Sequence, residues 1–256
     1  MAADLAHPER VVGLHFFNPV AQMPLVEVVR AEKTSDEALA TAFAVSKALR
    51  KTAVGVADRP GFVVNRLLVL LLGKIVEAVE NGTSVEVADR ALRPLGLPMG
   101  PFALFDLVGP AVGLHVLTSL REDLGDRFPS SPGLEKLVAE GTKVVLPAPA
   151  RGIPASVDPA IQAYFGTGEA GGPGALDEAG VLDAVLTALT TEIGHMLDEG
   201  VVQGPEQIDL CMILGAGWPF HDGCITPYLD RTGYTEKVLG RRLLPDGVAN
   251  VPAQVA

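Results

Sequence analysis

The sequence is poor in cysteine, tryptophan and basic residues. Its 256 residues include two cysteines and one tryptophan, and 20 Lys and Arg stand against 31 Asp and Glu, for a formal net charge of −11. An acidic chain repels a phosphate backbone, which argues against nucleic acid as a partner. Cys211 and Cys224 form no metal-ligand spacing, with each other or with His221. We therefore predict no metal site and two reduced, buried thiols, as is typical of the cytoplasm.

Long apolar runs and a secretory leader are also lacking. Residues 1–6 carry Asp4 and no apolar run, and the most apolar stretch, residues 67–73, is far short of a membrane span. We expect a cytoplasmic protein with no membrane span. What the chain does have is a 48% hydrophobic fraction, enough for a packed core, with 28 Gly and 20 Pro to break it into short elements.

The pattern of apolar residues predicts a mainly α chain with a short α/β part at its start. Strands are predicted at 11–17, 25–30 and 52–57, with a helix from about Asp36 to Arg50. The later helices are predicted at residues 60–80, 85–95, 102–124, 176–199, 205–214 and 226–239. Residues 146–176 are rich in Pro and Gly and are predicted to be a linker with one short helix near 159–165, and the tail after Arg242 is expected to be irregular.

A weak internal repeat relates two of the helical stretches. Residues 77–109 and 196–233 share the same order: a helix, a Gly stop, an Asp-bearing helix, a Gly/Pro loop and a further helix with Asp106 or Asp230. This order favours two related helical units. Chance similarity of Gly-rich turns is the alternative.

His15 and Glu27 are the residues most suggestive of chemistry. Each is a polar residue inside an apolar strand, in GLHFF and LVEVV. An unpaired buried carboxylate costs several kcal/mol, so Glu27 needs a partner, and the strand that holds His15 is the nearest candidate. A carboxylate would fix the tautomer of the imidazole and leave the other ring nitrogen for proton transfer. A satisfied core histidine is the alternative for His15.

Two further features have both functional and structural interpretations. Asn65 is an amide near the start of an apolar helix, where it either orients the helix or faces a ligand. Gly166, Gly168 and Gly171 match GxGxxG, but that signature needs a strand before it and a helix directly after it. Here more Gly and Pro follow, which favours a flexible connector.

The stretch GLHFFNPVAQMPLVEVV resembles the signature of the 3-hydroxyacyl-CoA dehydrogenases, and RPGFVVNRLL and LGLPMGPFALFDLVG resemble later segments of that family. The resemblance implies that His15 is the base that removes the substrate hydroxyl proton and that Glu27 pairs with it. It also implies that Asn18 lies near the nicotinamide end of NAD, and that Asn65 contacts the acyl-CoA substrate. The implied reaction is the NAD-dependent oxidation of L-3-hydroxyacyl-CoA to 3-ketoacyl-CoA in fatty-acid beta-oxidation.

The resemblance also implies a domain arrangement. Residues 1–58 would be the terminal strands and helix of a truncated Rossmann-type NAD-binding domain, because the family's Gly-rich turn lies well before the signature. Residues 59–145 and 177–256 would be helical units of the dehydrogenase C-terminal type, joined by the linker 146–176. The resemblance implies a second copy or a thiolase-type subunit as partner, and NAD affinity should be poor unless another polypeptide supplies the rest. The alternative is a non-catalytic acyl-CoA-binding or oligomer-assembly module.

Overall fold

The computed structural model describes residues 4–147, 156–221 and 223–248. The chain divides into two compact units: unit 1 is Met1–Val64 with Ile193–Ala256, and unit 2 is Asn65–Glu192. Ten α-helices and five short strands lie in the described residues, so the predicted mainly helical fold with a short α/β part is confirmed. The two compact units are defined by contacts between residues. The four segments expected from the family resemblance, 1–58, 59–145, 146–176 and 177–256, are defined by sequence similarity, so that division stays a prediction.

The three strands predicted in unit 1 are present, and they form one sheet in the order β1-β2-β3. Its strands are β1 (Gly13–Phe16), β2 (Leu25–Arg30) and β3 (Thr52–Ala57). The central strand β2 is antiparallel to β1 and parallel to β3. The first five residues of β2 are buried, which explains the unbroken run LVEVV, because a strand covered on both faces has no solvent-facing positions.

Helices cover this sheet. Helix α1 (Asp36–Ala48) connects β2 to β3, and it begins where the Ser35 hydroxyl accepts a hydrogen bond from the Ala38 amide. Unit 1 also includes α8 (Pro205–Ala216), α9 (Ile225–Arg231) and α10 (Tyr234–Leu239). Helix α8 packs directly on β2 at Gly215, where a Cβ atom would lie 2.6 Å from the Leu25 side chain. A larger residue there would push α8 off the strand that carries Glu27.

In its described residues, unit 2 is helical apart from one two-stranded ribbon. Its elements are most of α2 (Val64–Glu80), then α3 (Val85–Arg90), α4 (Pro101–Val108), α5 (Pro110–Leu124), α6 (Pro132–Ala139), β4 (Val145–Leu146), β5 (Ser156–Val157) and the first part of α7 (Glu178–Asp198). A buried ionic cluster lies in its core. The Glu192 carboxylate accepts from the Arg66 guanidinium, which is fully buried, and from Arg127 at 2.7 and 3.0 Å.

Several predicted helices have different bounds. The predicted helix 102–124 is two helices, because Gly109 has φ +92° and Pro110 has no amide N–H to continue the ladder. The predicted helix 226–239 is likewise divided, at Gly233 with φ +79°. Helix α6 was not predicted, since only eight residues carry its pattern. The predicted short helix near 159–165 is a 3₁₀ helix at Pro159–Tyr164.

Parts of two predictions lie outside the described residues: residues 148–155 of the linker and residues 249–256 of the tail. Among the described residues, no single helix is long and apolar enough to cross a membrane. One bent pair, Pro101–Val108 with Pro110–Arg127, passes the same test only when its two helices are taken together, by length and composition alone.

Candidate active site

The strand register brings His15 and Glu27 together. The two residues are direct partners in the antiparallel pair β1–β2, so their side chains leave the same face of the sheet. His15 Nδ1 lies 2.7 Å from Glu27 Oε2, a short hydrogen bond typical of a charged acceptor. The predicted contact is therefore present in the structure.

Glu27 is fully buried, and both of its carboxylate oxygens have partners. While Oε2 accepts from His15, Oε1 accepts from the backbone amides of Val63 and Val64, each at 3.1 Å. These amides lie at the amino-terminal end of α2, Val63 just before the helix and Val64 at its first residue, where N–H groups lack partners within the helix and favour negative charge. Three donors on one buried carboxylate offset the cost of its desolvation. Sequence reasoning missed the two amides, because they lie 36 and 37 residues further along the chain.

Two aromatic rings flank His15. The ring centroid of Phe17 lies 4.6 Å from that of the imidazole, in an edge-on arrangement, and the ring of Phe62 lies 5.5 Å away. The His15 side chain remains 27% exposed. Because the ionised Glu27 can only accept, Nδ1 carries the proton of a neutral imidazole, and Nε2 is left with a lone pair. The pair can therefore take a proton at Nε2 while the carboxylate stabilises the resulting cation.

Asn18 lies on an exposed loop three residues after His15. Lys51, the residue before β3, holds this loop: its ammonium group donates to the carbonyl oxygen of Met23 at 2.6 Å and to that of Val20. The structure thus assigns a local role to Lys51 that no sequence pattern indicated. The lysine follows Arg50, which lies just after α1 and has a left-handed conformation with φ +58°.

Asn65 is the second residue of α2 and is half-buried. It belongs to unit 2, whereas the His15–Glu27 pair belongs to unit 1. The contact of Asn65 with an acyl-CoA substrate stays a prediction.

The GxGxxG match has a structural explanation. A Cβ atom on Gly166 would lie 2.3 Å from the backbone oxygen of Glu80, so this glycine allows the loop to pack on the end of α2. The Glu80 carboxylate also accepts from the Gly166 amide at 2.8 Å, and the Gly171 amide donates to Gly82. No helix follows the match directly, since α7 begins at Glu178. These glycines form a connector, as the absence of a following helix predicts.

The two cysteines are buried and form no disulfide. Burial, together with the negative charge of Glu27, raises the pKa of the Cys211 thiol. Burial and the nearby Asp209 carboxylate raise that of Cys224. Both are therefore protonated near neutral pH. No group of three or more His, Cys, Asp or Glu side chains in the described part of the chain could hold a metal ion.

Two family models match the chain. The model described as "3-hydroxyacyl-CoA dehydrogenase, NAD binding domain" matches residues 1–59, and "3-hydroxyacyl-CoA dehydrogenase, C-terminal domain" matches residues 61–144. Together they match more than half of the chain.

Similar proteins agree with these models. The fatty acid oxidation complex subunit alpha of Acinetobacter baumannii (strain SDF) is 35% identical over 252 residues, covering 93% of this chain and 35% of the relative. The corresponding subunit of Shewanella amazonensis is 35% identical over 246 residues, covering 93% of this chain and 34% of the relative. This chain spans about a third of the length of these relatives.

Solved structures of dehydrogenases resemble the chain as well. The 3-hydroxybutyryl-CoA dehydrogenase of Escherichia coli K12 has a TM-score of 0.69 at 23% identity, covering 97% of this chain and 71% of that one, which supports the fold. The (S)-3-hydroxybutyryl-CoA dehydrogenase of Ralstonia eutropha is 35% identical with a TM-score of 0.51, over 55% of this chain and 50% of that one. The chain belongs to the 3-hydroxyacyl-CoA dehydrogenase family, a family of oxidoreductases.

The match to an NAD-binding domain model makes NAD the cofactor implied for this chain. The described residues suit the nicotinamide end of NAD but not its pyrophosphate. The turn from β2 to α1 has no glycine and places Asp36 and Glu37 in the first helical turn, where they would repel a pyrophosphate. The turn from β3 to α2 already directs the amides of Val63 and Val64 at Glu27. The exposed amide of Asn18, near His15 in sequence, is a hydrogen-bonding group that suits the carboxamide at the nicotinamide end.

Proposed function

We propose that this chain supplies the acid/base part of a site that oxidises L-3-hydroxyacyl-CoA to 3-ketoacyl-CoA in fatty-acid beta-oxidation. The observation that carries the proposal is the hydrogen bond of 2.7 Å from His15 Nδ1 to a fully buried Glu27, which leaves Nε2 able to accept a proton. Family membership supplies the substrate class, an acyl-CoA with a hydroxyl group on carbon 3.

In the proposed reaction, the substrate hydroxyl donates a hydrogen bond to His15 Nε2. As the carbonyl forms at carbon 3, the hydroxyl proton moves to Nε2, and the imidazole becomes a cation paired with Glu27. NAD, when bound, supplies the two-electron acceptor for this oxidation. In the reverse direction, His15 returns the proton to the carbonyl oxygen. Asn18 is proposed to hydrogen-bond near the nicotinamide and Asn65 to contact the acyl-CoA.

Substitution of His15 tests the proposal. In the full chain, His15→Gln should lower turnover of a short 3-hydroxyacyl-CoA with NAD by about 10²–10⁴, the usual worth of a positioned base. The matched control is His115→Gln, an exposed histidine on α5, which should leave turnover unchanged. Equal turnover in the wild type and in His15→Gln would contradict the role of His15.

Calorimetry with NAD tests how much of the cofactor site this chain contains. Neither the turn from β2 to α1 nor the turn from β3 to α2 suits a pyrophosphate. We therefore expect the chain alone to bind NAD weakly. Acyl-CoA should bind independently of NAD. Tight binding of NAD by the isolated chain would contradict the inference that the described residues suit only the nicotinamide end of NAD.

We also propose that the two stretches of the internal repeat are related helical units. In each, an aspartate of one helix caps the next: Asp89 accepts from the Phe102 amide at 3.2 Å, and Asp209 accepts from the Thr226 amide at 2.8 Å. Substituting either aspartate by Ala should cost a similar free energy of unfolding, about 1–2 kcal/mol for a lost cap. A large effect at only one of the two would weigh against equivalence.

A second candidate is a non-catalytic acyl-CoA-binding or assembly module. It is favoured by three large apolar side chains that are exposed at the junction of α4 and α5: Leu107 at 71%, Val108 at 41% and Val112 at 56%. The proposed partner is a second copy or a thiolase-type subunit, in keeping with relatives named as subunits of a complex. For this candidate, the double variant His15→Ala, Glu27→Ala should keep acyl-CoA binding and the oligomeric state. Loss of turnover in this double variant, with acyl-CoA binding intact, would instead favour the catalytic role.

A further inference from the structure

The turn before α2 contains a phenylalanine in an unfavourable backbone conformation. Gly61 has φ +71° and Phe62 has φ +46°, so two successive residues are left-handed. Glycine adopts this conformation readily, but a bulky L-residue does so only against a steric cost. The Phe62 amide donates to the Arg59 carbonyl at 3.1 Å, which closes the turn. Backbone strain of this kind persists only where the surrounding structure holds it in place, and it is concentrated at functional sites.

The left-handed turn determines where the next two amides point. Because the chain reverses at Gly61–Phe62, the amides of Val63 and Val64 are directed at Glu27 Oε1, at 3.1 Å each. Val63 is fully buried and Val64 nearly so, which means that water does not compete for these hydrogen bonds. With Oε1 held by two donors, Oε2 is left for His15.

The side chain of the same residue contacts the other member of the pair. The Phe62 ring centroid lies 5.5 Å from that of the His15 imidazole, with the ring planes at 52°. Phe17, from the strand of His15 itself, contacts the imidazole at 4.6 Å. Phe62 therefore acts on both members: its backbone orients the amides that hold Glu27, and its ring packs against His15.

We propose that Phe62 is a positioning residue for the His15–Glu27 pair. Its two contacts restrict rotation of the carboxylate and of the imidazole, so the direction of the Nε2 lone pair is fixed before substrate binds. Its importance for catalysis rests on the proposed function, but its effect on the geometry of the pair does not. Proton transfer tolerates little misplacement of a base, because donor and acceptor must approach within hydrogen-bonding distance.

Two substitutions separate the backbone role from the ring. Phe62→Asn and Phe62→Val both remove the aromatic contact, but Asn tolerates left-handed backbone and the β-branched Val does not. In NMR experiments on the full chain without ligand, Phe62→Asn should keep the slow exchange of the Val63 and Val64 amide protons with water. Phe62→Val should speed this exchange about tenfold or more, as local opening becomes easier. The matched control is Arg50→Val, which introduces the same residue at another left-handed position, φ +58°.

The imidazole provides the second readout. Both Phe62 variants should broaden or shift the His15 Nδ1 proton signal, and Arg50→Val should not. The proposal is overturned if Phe62→Val leaves the two amides and the His15 signal as in the wild type, or if Arg50→Val alters them equally. Should Phe62→Val fail to fold, Phe62→Ala takes its place, since Ala also disfavours the left-handed region.

Turnover gives a separate check. If the proposed function holds, Phe62→Val should lower kcat about 10- to 100-fold with little change in the KM for acyl-CoA, because the base is misplaced while the substrate site is intact. Turnover that persists in His15→Gln at the wild-type rate would count against the proposed function, and that result would leave the NMR comparison unaffected.

Discussion

Replacing Glu27 with Gln should reverse the tautomer of His15 without unfolding the chain. The Gln carbonyl oxygen can still accept from the amides of Val63 and Val64, and its NH₂ group then faces His15 Nδ1. A donor at that position forces Nδ1 to accept, so the proton of the neutral imidazole moves to Nε2. The nitrogen proposed to act as the base would then be occupied.

The cost in stability can be estimated from the three hydrogen bonds. Hydrogen bonds to a charged group contribute about 1.5–3 kcal/mol and neutral ones about 0.5–1.5, while a neutral amide costs less to bury than a carboxylate. We expect Glu27→Gln to lower the free energy of unfolding by roughly 1–3 kcal/mol. Glu27→Ala, which leaves two buried amides without an acceptor, should cost more, about 3–5 kcal/mol.

Nitrogen-15 NMR of the His15 ring is the direct assay, because protonated and unprotonated ring nitrogens differ widely in chemical shift. Urea denaturation gives the stability change in parallel. Proton transfer should be impaired in Glu27→Gln although the fold persists. An unchanged tautomer in a folded Glu27→Gln protein would refute the reasoning that Glu27 determines which nitrogen is free.

Three further predictions concern charged groups elsewhere. Burial raises the pKa of the Asp209 carboxyl. The stabilisation from its protonated form is therefore present at low pH and is lost as the pH rises through the raised pKa. In Asp209→Asn, the free energy of unfolding should fall less with rising pH, as measured by urea denaturation across the acid range. Lys51→Met removes two hydrogen bonds to the loop of Asn18 and should speed hydrogen exchange of the loop amides. Glu192→Ala leaves a fully buried arginine without its carboxylate and should cost about 3–5 kcal/mol of unfolding free energy.

Each of these has a comparison variant. Asp89→Asn is a second test of the Asp209 argument, because burial also raises the pKa of Asp89, and the two variants should change the pH dependence in the same direction. Lys47→Met, at an exposed position on α1, should leave the loop amides unchanged. Glu178→Ala removes an exposed ion pair with Arg90 and should cost no more than about 1 kcal/mol. Equal effects of Glu192→Ala and Glu178→Ala would contradict the importance of burial.

The predicted elements were most accurate where a single local rule decides the outcome. The three strands of unit 1 are confirmed, because each is a short apolar run bounded by turn residues, and the long helices α2 and α7 follow from extended apolar periodicity. Errors fell at helix breaks. Gly109–Pro110 and Gly233 interrupt apolar patterns that continue on both sides, so the pattern alone favoured one helix where the backbone forms two.

The sequence by itself was enough to pair His15 with Glu27, since a carboxylate within LVEVV requires a partner and a seven-residue connection separates the two predicted strands. It was also enough, through GLHFFNP and the segments that follow, to recognise the family. Only the tertiary structure revealed what holds the pair: the amides of Val63 and Val64 and the ring of Phe62. The physical reason is that these contacts depend on backbone direction at a distant turn. Local periodicity carries no information about which way an amide 36 residues away will point.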